Sequence, residues 1–182
     1  GSVLISNSTN NEVRGKIRCS IEKNSAAWND FTISPMTVKK VKVLIPAVNA
    51  TEAKKFRAEF ELEGCSNPKL NLDIESKLPT QLHRRTFVSK VDGSVQYYAV
   101  MPASNPGAKA LVLSLHGASV EAISQAASYG QKPWCNIVCP TNGRPYGWDW
   151  EEWGRINAME TLEDAKRVFN PEPDRVYLTG HS

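Results

Sequence analysis

Arg175-Val176-Tyr177-Leu178-Thr179-Gly180-His181-Ser182 is the stretch on which the reading of the fold turns. Val176 to Thr179 has the β-branched and aromatic character of a short buried strand. It runs straight into Gly-x-Ser, where small residues permit a tight turn. The tripeptide alone is common; its position gives it weight. Just upstream, Pro171 and Pro173 stop a helix. That helix carries Ala158, Leu162, Ala165 and Phe169 at spacings of four, three and four, one apolar stripe. Asp149 and Glu152 have capping-box spacing ahead of it, and Glu163 with Arg167 predicts an ion pair on its outer face.

Further back the alternation continues. Asn136-Ile137-Val138-Cys139 reads as a short buried strand closed by Pro140. Val120 to Tyr129 reads as a helix stopped at Gly130. Ala110-Leu111-Val112-Leu113-Ser114-Leu115 is nearly continuous in apolar residues, as a strand covered on both faces requires. Thr86 to Lys90 and Gln96 to Met101 flank Asp92-Gly93, a strong hairpin signal; of the adjacent Tyr97 and Tyr98, one should face inward and one outward. Strand, helix, strand, helix, strand implies a parallel sheet with right-handed crossovers.

The first half reads differently. Gly15 to Glu22, Thr37 to Ile45, Phe56 to Leu62 and Leu70 to Ile74 alternate polar with apolar, which puts one face of each on a core. Turn clusters at Asn24-Ser25, Ser34-Pro35, Ala47-Val48-Asn49 and Gly64 to Pro68 separate them. The expectation is an α/β protein in which a small all-β sandwich, immunoglobulin-like, occupies 1–85. A linker near Pro79 to Arg85 joins it to the incomplete α/β sheet of 86–182.

Composition bounds the rest. Of 182 residues, 41% are hydrophobic and 23% charged, which argues against disorder. A net charge of +3 with scattered basic residues gives no nucleic-acid footprint. No apolar run approaches the roughly 20 residues of a membrane helix. Gly1-Ser2 reads as a cloning remnant, so a natural N-terminus and any signal would lie upstream, and the compartment, secreted or periplasmic included, stays open. The four cysteines make no disulfide scaffold. Cys19 and Cys65 either bridge strands or stay as buried thiols, and Cys135 and Cys139 lack zinc-site spacing. No cofactor and no metal are called for. Two sequons, Asn7-Ser8-Thr9 and Asn49-Ala50-Thr51, matter only in a glycosylating host.

Two segments carry chemistry. Gly180-His181-Ser182 begins Gly-x-Ser-x-Gly, and Leu115-His116-Gly117-Ala118 sits at the C-terminal end of the apolar strand, where active-site loops gather in parallel sheets. Together they resemble the α/β-hydrolase superfamily, and the wording is close to prolyl-oligopeptidase-like esterases and peptidases. Arg84 to Phe87 and Asp92 to Pro102 look like the entry hairpin of that family. The resemblance covers the second half of the chain. It implies Ser182 as nucleophile, an acyl-enzyme released by water, and an oxyanion loop built from the backbone of Gly117, Ala118 and Ser119, the donor being the amide of Ala118 or Ser119. One such donor is worth about 3 kcal/mol in the transition state. His116 is read as bracing that loop.

In that family the acid and histidine follow the serine, and nothing follows Ser182 here. Loss of the general base costs on the order of a million-fold in turnover. The chain alone is therefore expected to be inactive, with the natural protein continuing beyond Ser182 and an unpaired sheet edge inviting association. The aromatic run Pro145 to Trp153 reads either as packing or as a substrate platform through Trp148 and Trp150. The substrate expected is a small-molecule ester or peptide. Two alternatives stand beside this reading: a carbohydrate- or protein-binding module with a passive hydrolase-like half, and a hydrolase-like fold without catalysis.

Overall fold

A computed structural model describes residues 1–48, 52–143 and 149–181. The chain divides into two compact units, Gly1–Lys77 and Leu78–Ser182.

The first unit is all β. Its strands are β1 (Ser2–Asn7), β2 (Val13–Ile21), β3 (Asn24–Ser25), β4 (Asn29–Ile33), β5 (Thr37–Lys42), β6 (Lys55–Glu63) and β7 (Lys69–Glu75). β1 and β5 pair antiparallel, and a second antiparallel sheet runs β3-β2-β6-β7 with β4 also on β2. Both sheets feed one core of Ile17, Cys19, Ile21, Phe31, Val41, Phe56, Phe60 and their neighbours. Each such side chain, fully buried, contributes about 1.5–3 kcal/mol. Asn24-Ser25, expected as a turn, instead returns alongside Ser20 and Ile21. Leu70 and Leu72 face the same way as Phe60 and Ala58 across the ladder, yet they remain 37% and 45% exposed. β7 is an outer strand, so alternation gave the right face but not the burial. Cys19 and Cys65 are free thiols.

The second unit holds β8 (His83–Val88), β9 (Val95–Met101), β10 (Ala110–Leu115), α1 (Ala122–Ser128), β11 (Cys135–Pro140), α2 (Trp153–Phe169) and β12 (Val176–Gly180). The strands form one sheet in the order β12-β10-β11-β9-β8. β10 runs parallel to both β11 and β12, while β9 is antiparallel to β11 and β8. The sheet is thus mixed, and the stretch from Pro79 to Arg85 belongs to this unit. Alternation along the strands builds two cores. Ala99, Val112, Ile137 and Cys139 meet α1 through Ala122 and Ala126. Tyr98, Leu111, Leu113 and Val138 meet α2 through Ala158 and Ala165, with Leu162 and Phe169 at the margin. Helices therefore cover opposite faces, the reason β10 is apolar throughout. Tyr98 is fully buried and Tyr97 half-buried.

Several local expectations need correction. α1 is shorter than Val120 to Tyr129, and Tyr129 caps it in an extended conformation. α2 starts after Glu152, whose φ of 43° and ψ of −107° leave no side-chain cap, so Asp149 and Glu152 form no capping box. Arg167 pairs with Asp164, and Glu163 with Lys90 on the hairpin loop, instead of with each other. The far end of α2 closes as the sequence predicts: Asn170 takes the left-handed conformation ahead of Pro171.

Candidate functional site

Because β10, β11 and β12 run parallel, their C-terminal ends share one edge of the sheet. β8 points the same way as β11, so the hairpin loop Ser89 to Ser94 reaches that edge too. Glu160 of α2 fastens it, accepting from Ser89 Oγ at 2.8 Å and Lys90 N at 2.6 Å.

At the centre of this edge β10 ends in His116-Gly117-Ala118-Ser119. Gly117 to Val120 form a turn closed by Val120 N donating to Gly117 O at 3.3 Å. Ser119 has φ +61°, a left-handed conformation that costs a non-glycine residue about 1 kcal/mol. Gly117 is buried, while Ala118 and Ser119 are exposed. Among the described residues no acceptor takes the N–H of Gly117, Ala118 or Ser119. A run of unspent backbone donors at a strand end can receive an anion or a developing negative charge.

His116 lies under the loop, 2% exposed. Its Nδ1 is 3.1 Å from Gly117 O, so the hydrogen sits on Nδ1, and Nε2 is buried with no partner among the described residues. Trp150 holds it from the other side. The indole Nε1 donates to His116 O at 2.9 Å, and the two rings meet edge-on with centroids 4.9 Å apart. Sequence reading offered Trp150 as a substrate platform or as packing; its indole N–H is bonded to the His116 carbonyl.

β12 brings the second segment alongside. Ser114 lies opposite Thr179 and Leu115 opposite Gly180, and His181 N donates to Leu115 O at 3.1 Å. Gly180-His181 thus adjoins the start of the His116–Ser119 loop, 65 positions away in sequence. Ser182 and Trp148 lie outside the described residues, as do Arg144 and the sequon Asn49-Ala50-Thr51.

Beneath the loop a polar group that sequence did not signal ties α1 to β10. Gln125 Nε2 donates to Ser114 Oγ at 2.9 Å and to Tyr129 Oη at 3.3 Å, and the two hydroxyls bond each other at 2.9 Å. Between α2 and the hairpin loop a cavity of about 490 Å³ opens among Asp92, Gln96, Asn142, Glu152, Trp153 and Glu160. Its rim is acidic, a feature scattered over two loops and one helix in the sequence. Among the described residues no group of three or more metal-ligating side chains assembles, and no helix is long and apolar enough to cross a membrane.

No protein-family model matches the chain, and no curated protein does. Among solved structures, a thermostable esterase is similar over 98% of this chain and 66% of its own, at 12% identity and a TM-score of 0.43. Esterase Est22 is similar over 56% of this chain and 35% of its own, at 12% identity and a TM-score of 0.41. Pyrococcus horikoshii acylaminoacyl peptidase is similar over 85% of this chain and 30% of its own, at 14% identity and a TM-score of 0.37. This chain spans less than two thirds of the length of each.

Proposed function

We propose that the second unit is the leading part of a serine hydrolase of the α/β-hydrolase type, acting on esters or peptides, and that the first is a β-sandwich of immunoglobulin-like kind. The observation that carries the reading is the His181 N to Leu115 O bond of 3.1 Å. It sets Gly180-His181 against a loop whose three amides meet no acceptor among the described residues.

On this reading the Ser182 hydroxyl oxygen bonds to the acyl carbon of the substrate. The carbonyl oxygen takes up negative charge, which the amides of the 117–119 loop stabilise. The bond to the leaving oxygen or nitrogen breaks, the leaving group gains the proton, and water releases the acyl group to restore the hydroxyl. His116 keeps the loop in shape through its Nδ1 contact with Gly117 O. The histidine and acid of the mechanism are not assigned to any of residues 1–182. The outer edge of β12, with Tyr177 46% and Leu178 69% exposed, supports association at that side.

The test is a fluorophosphonate probe on the full natural protein, with the adduct mapped by peptide mass spectrometry. One probe on Ser182, lost in Ser182→Ala, is the expected result. Absence of an adduct, or an adduct elsewhere, rejects the proposal and turns attention to binding by the β unit.

A further inference from the structure

Trp150 does more to the loop than cover it. Its indole N–H holds the carbonyl of His116 at 2.9 Å. The described chain has no cis peptide bonds, and in a planar trans peptide the C=O and the following N–H point in opposite directions. Fixing His116 O on the indole therefore fixes Gly117 N–H away from it. Gly117 is buried, and a buried N–H without an acceptor is costly. Besides the indole, the loop is held by the His116 Nδ1 contact with Gly117 O at 3.1 Å, which acts one residue beyond the Gly117 N–H. Its own closing bond is 3.3 Å long, and Ser119 sits in a conformation serine disfavours.

We infer that Trp150 is a positioning residue for the oxyanion loop: through the His116 carbonyl it sets the direction of the Gly117 amide and of the turn that follows. The inference rests on the hydrolase reading above. It replaces substrate contact by Trp150 with control of where negative charge is received. The edge-on contact of indole and imidazole at 4.9 Å supplies the packing that brings the N–H to the carbonyl. The role thus divides into a ring part and an N–H part, and the two can be separated.

Trp150→Phe keeps a ring against His116 and deletes the donor. In the full natural protein, turnover of a p-nitrophenyl ester is measured per active site, with sites counted by fluorophosphonate labelling. The oxyanion forms only in the transition state, so kcat should fall about 10- to 100-fold while KM stays within about twofold. A purely packing role would lower the thermal midpoint and the number of labelled sites but leave kcat per site unchanged. Where Trp150→Phe does not fold, benzothienylalanine at position 150, which has sulfur in place of the N–H, gives the same comparison with the shape retained. A labelled parent whose variant turns over normally overturns this inference and leaves the hydrolase reading standing. A parent that takes no label overturns both.

Discussion

Gly15→Ala tests how the β unit is closed. Gly15 lies on β2 opposite Phe31, and a Cβ there would sit 2.2 Å from Glu63 O and 2.5 Å from Phe31 Cζ. Ordinary approach of carbon to a carbonyl oxygen is about 3.3 Å, so β2 and the end of β6 would have to part by roughly 1 Å. Neither obstacle can step aside. Phe31 is 6% exposed within the core. Glu63 O is backbone, followed by Gly64 at φ +82°, whose own Cβ would meet Arg14 O at 2.4 Å. Overpacking of this kind costs about 1–3 kcal/mol, and each ladder bond lost at the β2–β6 end adds about 1 kcal/mol. Alanine returns about 0.5–1 kcal/mol by restricting the unfolded chain. With one such bond lost, the net is a loss of about 1–3.5 kcal/mol. At about 4–8 °C per kcal/mol for a unit of this size, its midpoint should fall by about 4–28 °C. Hydrogen exchange of peptides covering β2 and β6 gives the local readout. Gly130→Ala is the control, since its added Cβ meets nothing within 4 Å, and it should be neutral or mildly stabilising. A Gly15→Ala protein with unchanged exchange in β2 and a midpoint within about 2 °C of the parent would refute the close approach, because overpacking alone is worth more than that.

Other perturbations bear on the second unit. Ser119→Gly relieves the left-handed φ at a cost of some backbone entropy, so urea unfolding should show a gain of about 0.5 kcal/mol, and a clear loss would mean that the turn is held in another conformation. Thr161 is fully buried on α2 with its Oγ1 unpartnered among the described residues; Thr161→Val should stabilise by about 1 kcal/mol, and destabilisation would reveal a hidden partner. Burial first, and Arg85 second, hold His83 below its ordinary 6.5 despite the bond to Gln81 O. The unfolded chain therefore takes up the proton before the folded one. The stability this histidine contributes is intact above 6.5 and declines as pH falls from there to its folded value. His83→Gln should flatten thermal midpoints across that window, and an equally steep decline in the variant would exclude His83 as the cause.

What the sequence disclosed about this fold was periodic; what it concealed was made by distant partners. The apolar run Ala110 to Leu115 announces a strand covered twice because every one of its side chains needs a neighbour. The stripe from Ala158 to Phe169 announces α2 for the same reason on a helical repeat. Capping by Asp149 and Glu152 looked sound by spacing, yet the helix begins with Glu152 at positive φ, a backbone choice no spacing records. Glu163 and Arg167 stand one turn apart, but Lys90 and Asp164 win them, since surface pairs of this kind differ by only a few tenths of a kcal/mol. In the site, His116 to Ser119 were recognisable by their place at a strand end. The indole donor from Trp150, 34 positions on, and the Ser114–Gln125–Tyr129 group were not. Single polar bonds across a sheet edge leave no repeat in the chain.

The cysteines give the molecule its own clock. Each unit carries two thiols and no bridge. Burial raises all four above their ordinary range, Cys139 up to about 12. Cys19 and Cys139 are also buried, so at neutral pH an alkylating reagent reaches their thiolates when their surroundings open. Mass spectra taken over time would then date the opening of the two units separately, Cys19 for one and Cys139 for the other, with no label, mutation or denaturant added.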